Sequence, residues 1–481
     1  MMKNKLETKS TSRPFKTVPF FYWLIFFANL IFIGINYPDI PQYESELFRL
    51  NGFSALIWLS VSFFSAVISS YSYNYLKGFE YYRSYFRNSA CFTFSVLVLV
   101  ISNSIWLFIA AWFGMGFFMA RLIGINEKWG EAIQAQKYTS RKFLLGSLLL
   151  GLGLIIIALA NDVYTLGDIF RSMGDTPFWL LLITALFIIS AALIQSAIFP
   201  FHRWLLSAMT APTPASALMH AGFVNGSGIL LTICAVLIFY SNTYYLLFII
   251  GGVTAIIAQF TKLLQVQVKH KLACSTIAQM GFMIMQCGLG FFNAAIAHLI
   301  LHGFYKAYLF LSAGEEIKHS YPSNPPRIRI KPIQALLVIV FSFLGAGMFA
   351  FLTGKGFTTD SGILLTLVVA ITVGQATYNI VKEKSWTYLQ RIAYSGLLFI
   401  IGVGLYSLIF NWTTIMMRDM PMIQVPRELS PVEISFGILF LLGFFLMKLG
   451  IYRKIPWLYV KLLNASQPSS KTIHKYKSKG I

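Results

Sequence analysis

Residues 294–314 read AAIAHLILHGFYKAYLFLSAG, an apolar run long enough to span a bilayer, and His298, His302 and Lys306 interrupt it four residues apart. On an α-helix four residues rise about 6 Å and turn slightly more than one revolution. The three side chains therefore form a drifting file down one face, about 12 Å from end to end. An ionisable group at that depth costs about 3 kcal/mol or more if charged. Chains keep such groups chiefly where a proton or another small cation passes. The competing reading is that they only hydrogen-bond across a bundle and fix its packing.

The composition around this stretch sets the class. Of 481 residues, 57% are hydrophobic and 11% charged, with mean hydropathy +0.68. Soluble domains carry about 25% charged residues. The reading is an all-α polytopic membrane protein with about 13–14 transmembrane helices. Spans are expected near 19–38, 52–72, 88–103, 104–124, 142–160, 177–199, 213–238, 244–264, 272–290, 293–312, 333–353, 361–381, 390–410 and 432–452. Each suits a hydrocarbon core about 30 Å thick. The pair 88–103 and 104–124 is separated by almost nothing polar, yet losing one span would move every later loop to the other side.

A net charge of +21 could suggest nucleic acid, but its distribution argues for a membrane surface. With connections numbered alternately, the even side collects the N-terminal lysines, Lys77, Arg83, Arg87, Arg121, Lys128, Lys137, Arg141, Lys142, Arg203, Lys262, Lys269, Lys271 and the basic tail. The odd side holds only Arg49, Arg171, Lys355, Arg418 and Arg427, and it gathers Asp39, Glu44, Glu46, Asp162, Asp168 and Asp175. This is the positive-inside asymmetry, so both termini are expected in the cytoplasm and the chain in the cell inner membrane. Basic residues then meet lipid headgroups and cytosol, not nucleic acid.

Three regions follow. Residues 1–18 are a basic cytoplasmic segment, 19–452 the transmembrane domain, and 453–481 a basic cytoplasmic tail, solvated and disordered from Asn464 onward. The N-terminus does not read as a signal peptide, because its apolar run is long and lacks a small-residue cleavage site. Cys91, Cys234, Cys274 and Cys287 lie in or beside apolar segments without C-x-x-C spacing, as buried small hydrophobes do. No phosphate cradle or metal-ligand motif occurs, so no cofactor is expected on this chain.

Residues 198–231, IFPFHRWLLSAMTAPTPASALMHAGFVNGSGILL, carry the second signal. Pro200 should end one helix, Phe201 to Met209 form a short amphipathic piece, and Pro212 and Pro214 break the chain near 200–215 before His220. Irregular backbone at membrane depth is tolerated only where it lines protein or water. A broken helix bearing a histidine fits a hydrated half-channel. The alternative is a kink that only improves packing. His202 and Arg203 are expected at the interface.

The strings PFHRWLLSAMTAPTPASALMHAGFVNGSG, LACSTIAQMGFM and HLILHGFYKAYLFLSAG resemble the antiporter-like membrane subunits of respiratory complex I and of multisubunit cation/proton antiporters. The resemblance runs from about Tyr71 to Gly314. HAGFVNGSGILL, QMGFMIMQCGLG and HGFYKAYLFLSAG are most similar to the DabB family of inorganic-carbon transporter subunits. That resemblance implies an antiporter-like fold and a proton path through His220, His298, His302, Lys306 and Lys269. It also implies a partner, a DabA-like zinc protein on which CO2 is hydrated at the expense of a cation gradient, H+ or Na+. This chain would then be a transport subunit without catalytic residues, metal or cofactor, zinc being confined to the partner.

The chain also departs from the pattern that the resemblance implies. Trp112 is followed by Phe113 where pumping relatives carry glutamate, Gln195 stands where they carry lysine, and Gln267 where an acid often stands. Lys355, in GMFAFLTGKG, faintly echoes a later helix break. The implied device is one simplified cation path. An imidazole has an ordinary pKa of about 6.5 and switches readily between donor and acceptor. Burial disfavours the charged form of a lysine, so Lys306 can titrate within reach of the histidines. The same residues also leave open a subunit of complex I or a multisubunit antiporter, and a non-conducting anchor for a catalytic partner. Glu80, flanked by Lys77 and Arg83, is expected in a surface ion pair, the alternative being a proton entry group. Glu315 and Glu316 either relay protons outward or are simply solvated, and Glu433 is a candidate interfacial anchor of the last span.

Overall fold

Asn103 holds together the turn on which the span count depends. Its amide nitrogen donates to Ser45 O at 2.6 Å, and its side-chain oxygen accepts from Gly167 N at 3.0 Å. Its backbone N–H donates to Leu47 O at 2.9 Å. Helices on either side of Asn103 therefore stay separate, because its polar groups are engaged with two other loops.

The computed structural model describes residues 17–313, 332–356, 358–381, 387–449 and 454–473. From the N-terminal side, α1 (Thr17–Asn36) leads through a ribbon, β1 (Tyr43–Glu44) with β2 (Arg49–Leu50), into α2 (Gly52–Tyr75). Then come α3 (Tyr82–Ile101), α4 (Ile105–Ile123), α5 (Gly130–Asn161), the short α6 (Leu166–Ser172) and α7 (Phe178–Gln195). An interrupted region follows as α8 (Arg203–Ser207), α9 (Thr213–Ala221), α10 (Gly226–Ile233) and α11 (Ala235–Tyr240). The hairpin α12 (Tyr244–Leu264) and α13 (Val268–Gly288) leads to α14 (Phe292–Leu311). The remaining helices are α15 (Pro332–Thr353), α16 (Gly362–Val381), α17 (Tyr388–Met416), α18 (Pro431–Leu449) and α19 (Pro456–Ala465).

Thirteen of the fourteen expected spans fall on one helix each, 88–103 and 104–124 on the separate α3 and α4, whereas 213–238 is divided among α9, α10 and α11. Eleven are long and apolar enough to cross a membrane among the described residues. α13 is more polar, opening on Lys269, His270 and Lys271, and the apolar parts of α16 and α18 are shorter. The chain is thus a multi-pass, all-α membrane protein.

The polar contacts between loops join members of the same set. On the odd side, Arg171 donates to Glu44 at 2.7 Å and to Asp168 at 2.6 Å, Arg418 pairs with Asp39, and Phe292 N donates to Ile423 O at 3.0 Å. On the even side, Lys128 pairs with Glu80 at 2.6 Å, so Glu80 makes a surface ion pair, but with a partner other than its flanking Lys77 or Arg83.

Aromatic packing fills the centre. Phe143 lies 4.8 Å from Trp204 and 4.6 Å from Phe223, ring centre to ring centre, joining α5, α8 and the interrupted region. A smaller cluster gathers Phe248, Phe291, Phe349 and Phe436 across α12 and α15–α18. α12 and α13 meet backbone to backbone. A Cβ on Gly251 would lie 2.6 Å from Gly281 O, and one on Gly281 would lie 2.7 Å from both Gly251 O and Ala255 N. Small residues permit that approach between membrane helices. The cysteines are free, three of them buried, as expected of small hydrophobes.

The tail differs from its expected solvated state. Residues 454–473 fold back on the even face, with Leu462, Ser466, Ser469 and Thr472 buried. His202 is accordingly buried too: its Nε2 lies 2.8 Å from Ala465 O, and its ring stacks 3.7 Å from Phe199. A segment of Ser, Gln and Thr has no apolar period to announce such docking; its backbone is what binds. Burial, with the charge of Arg203 adding to it, pushes the His202 imidazole down to about 4. The folded state then binds fewer protons than the unfolded chain between that value and about 6.5, so acid favours unfolding in this window. The purified protein should lose about 2–3 kcal/mol between pH 7 and pH 4 from this group, and His202→Asn should lose less. Thermal unfolding of both across that range checks it; parallel curves would count against it.

Residues 1–16 and 474–481, with Glu315 and Glu316, lie outside the described residues. Glu433 is fully buried and closes the start of α18, its Oε2 accepting from Ser430 N at 2.9 Å. It is a helix cap more than an interfacial anchor.

Candidate functional site

α14 has two distinct faces. Phe304, Tyr305 and Tyr308 point outward, 46%, 55% and 70% exposed, as a lipid-facing surface requires. His302 and Lys306 turn into the bundle, 5% and 0% exposed. The His298 and His302 rings are nearly parallel, 6.1 Å apart, and His298 meets the Phe282 ring edge-on at 5.3 Å. Both ring nitrogens of His302, and Nε2 of His298, are buried without a hydrogen-bond partner among the described residues.

Lys306 reaches toward α13. Its Nζ donates to Leu272 O at 3.2 Å and lies 5.6 Å from the Tyr305 ring centre. Leu272 O also accepts from Thr276 Oγ1 at 3.1 Å, and Thr276 Oγ1 lies 2.9 Å from His220 Nδ1. A hydroxyl has one hydrogen. With that hydrogen on Leu272 O, Thr276 must accept from His220, which fixes the proton on Nδ1 and leaves Nε2 as a free base. That Nε2 is buried without a partner, and the ring stacks on Phe310 at 4.3 Å. α9, α13 and α14 thus bring His220, Lys306 and the His298–His302 pair to one place.

Lys269 is nearby but turned toward the even side. Its Nζ donates to Ala211 O at 2.9 Å, a carbonyl that also accepts from Ser216 Oγ at 3.3 Å. Lys355 does not join the group: it follows α15 on the odd side, over the Phe291 ring at 5.4 Å.

The proline expectation holds in part: the chain is interrupted between Gln195 and Thr213 and a new helix starts at Pro212–Pro214, but the details differ. α7 ends at Gln195, before Pro200, and the chain reverses at Ser196–Ala197, with Ala197 at φ 54°. Residues 203–210 are largely buried and not amphipathic. Pro212 and Pro214 start α9, where a proline's missing N–H costs nothing. The break within the span comes after His220, at Gly222–Asn225, where a 3₁₀ turn replaces the α-helix. Its carbonyls are satisfied from α7: Gln195 Nε2 donates to Phe223 O at 3.2 Å, and Ser196 Oγ to Val224 O. Gln195, where pumping relatives carry lysine, therefore holds the break with a neutral amide. Gly222 and the Asn225–Gly226 pair were the available signal for it.

Thr276 was overlooked because its role depends on two other helices. Lys262, in the last turn of α12, was counted only as a loop charge, although it is half-buried. A cavity of about 520 Å³ was also beyond reach of the sequence. It lies between α12–α14 and α16–α18 and is lined by His298, His302, Gln259, Gln279 and Tyr406 among mostly apolar side chains. About 15 Å³ of such space suffices for one water, given polar partners. The free imidazole nitrogens supply those partners.

A membrane bundle with a span broken beside a buried histidine, and a histidine–lysine file on α14, is the arrangement expected of an antiporter-like subunit. The family described as NADH:quinone oxidoreductase/Mrp antiporter, transmembrane, matches residues 102–368, and the chain belongs to it. It is similar to the probable inorganic carbon transporter subunit DabB of Bacillus anthracis, 32% identical over 70% of this chain and 69% of that protein. The subunit of the same name from Bacillus subtilis is also 32% identical, over 66% of this chain and 63% of its own length. The chain therefore spans about two thirds of these relatives. In fold it is similar to a chain of the membrane-bound sulfane sulfur reductase, an archaeal respiratory membrane complex, with TM-score 0.59 and 16% identity over 95% of this chain and 93% of that one.

Proposed function

We propose that this chain conducts protons for an energy-coupled inorganic-carbon uptake complex of the cell inner membrane, its even face and both termini cytoplasmic. CO2 hydration would take place on a zinc-containing, DabA-like partner. The observation that carries the reading is the group His220, His302 and Lys306, buried within a bundle whose outer faces are apolar, with His298 half-buried beside them and its Nε2 enclosed. Three imidazole nitrogen bases and one amine suit protons. Hard metal cations prefer oxygen ligands, and no ion pair brings a carboxylate to this group among the described residues. The similarity to DabB subunits supplies the substrate class.

Purifying the tagged chain from its native membrane should recover a large zinc protein, and cells should show CO2-dependent uptake that an uncoupler abolishes. Recovery of a run of small membrane subunits instead would assign the chain to a respiratory or multisubunit antiporter complex. Full uptake by a His302→Ala variant that assembles normally would leave only an anchoring role.

A further inference from the structure

The C-terminal segment docks on the hairpin that carries Ala211, the carbonyl held by Lys269. Ser207 is the receiving point. Its Oγ accepts from Ser469 N at 3.1 Å and from Thr472 Oγ1 at 3.1 Å, while donating to Arg203 O at 2.9 Å. Two further bonds tie the segment down on either side: His202 Nε2 to Ala465 O at 2.8 Å, and Gln265 Nε2 to Ser466 O at 2.9 Å. Gln265 follows α12, His202 precedes α8, Ser207 is the last residue of α8, and Ala211 lies four residues beyond Ser207. Residues 465–473 therefore lie across α8 and the end of α12, next to the segment whose Ala211 carbonyl Lys269 holds.

The attachment is close but slight. It consists of neutral hydrogen bonds, most to strap backbone, with Leu462 as the buried apolar contact of α19 and Trp457, Val460 and Ile473 left exposed, 63%, 52% and 52%. No ion pair and no large apolar surface hold it among the described residues. A structural brace would be expected to bury more. A subunit with an open proton path and no partner would also collapse the gradient of its membrane, so an unassembled chain needs a seal.

We infer that residues 465–473 form an autoinhibitory strap that closes the even-side mouth of the cation path in the lone subunit and lifts when a partner subunit occupies that face. The inference rests on the conduction reading above for its consequence, but not for its geometry.

Two variants loosen the strap without touching the buried group. One deletes residues 466–481. The other, Ser469→Pro, removes the N–H that bonds Ser207 at a position whose φ of −63° already suits proline. In a Cys91→Ser background, Ser207→Cys is labelled with a membrane-impermeant maleimide to report whether the strap covers it. Proton flux is measured in vesicles holding the lone chain without Ser207→Cys. Both variants should raise labelling and flux at least tenfold, and His302→Ala should return the flux to the level of the full chain. Unchanged labelling overturns the strap. So does faster labelling with unchanged flux in a preparation whose assembled complex shows His302-dependent transport. Absence of that dependence in the assembled complex would count against conduction instead, and labelling alone would then decide whether the strap covers the mouth.

Discussion

Lys306→Met should abolish transport while leaving the protein folded. Lys306 is completely buried, its only hydrogen bond among the described residues is to Leu272 O, and no acid pairs with it there. Methionine is close to it in shape and carries no charge to desolvate. Replacing an unpaired buried amine with an apolar side chain of similar volume removes a desolvation cost, so folding should be unaffected or favoured. The functional loss should be much larger. Removing a positioned proton donor or acceptor costs about 100-fold or more. Uncoupler-sensitive carbon uptake should fall to background, while thermal unfolding of the purified variant occurs at the same temperature or higher. A Lys306→Met protein with normal uptake would remove this residue from the path.

The second large effect is structural. Gly281→Leu should prevent the α12–α13 hairpin from closing. A Cβ at Gly281 would already sit 2.7 Å from two backbone atoms, Ala255 N and Gly251 O, neither of which can move without its helix. Forcing extra carbons into a packed site costs about 1–3 kcal/mol where side chains can yield, and more where only backbone can. The same separation would draw Leu272 and Thr276 away from Lys306 and His220. The variant should give little monodisperse protein on size exclusion from detergent, with Gly281→Ala intermediate. Wild-type yield and unfolding temperature for Gly281→Leu would show that the two backbones are not in contact.

The helices and their sidedness were legible because both are written in one dimension. A lysine or arginine counts toward its loop whatever the neighbouring helices do, and Arg49, Arg171 and Arg418 indeed gather with Glu44, Asp168 and Asp39 on one side. His298, His302 and Lys306 were legible for the same reason, since a spacing of four needs one helix only. His220 was singled out through its neighbouring prolines, yet those prolines start α9; the break lies two residues after it. Thr276 could not be found from its own segment, since its part depends on α9 and α14 converging on α13. The docking of Ser469 and Thr472 was equally hidden, because Ser, Gln and Thr in a polar tail read the same whether they bind water or Ser207.

Leu272 O sets a limit on how charge can move here. A carbonyl owns no hydrogen, so nothing it receives from the amine of Lys306 can be handed onward, and the hydroxyl of Thr276 has its single hydrogen aimed at that same oxygen. The two basic groups on either side are consequently neighbours without a wire between them. What they share is repulsion: a positive charge on one makes a positive charge on the other more costly. Occupancy should alternate, with an arrival at one end helping to expel the occupant of the other.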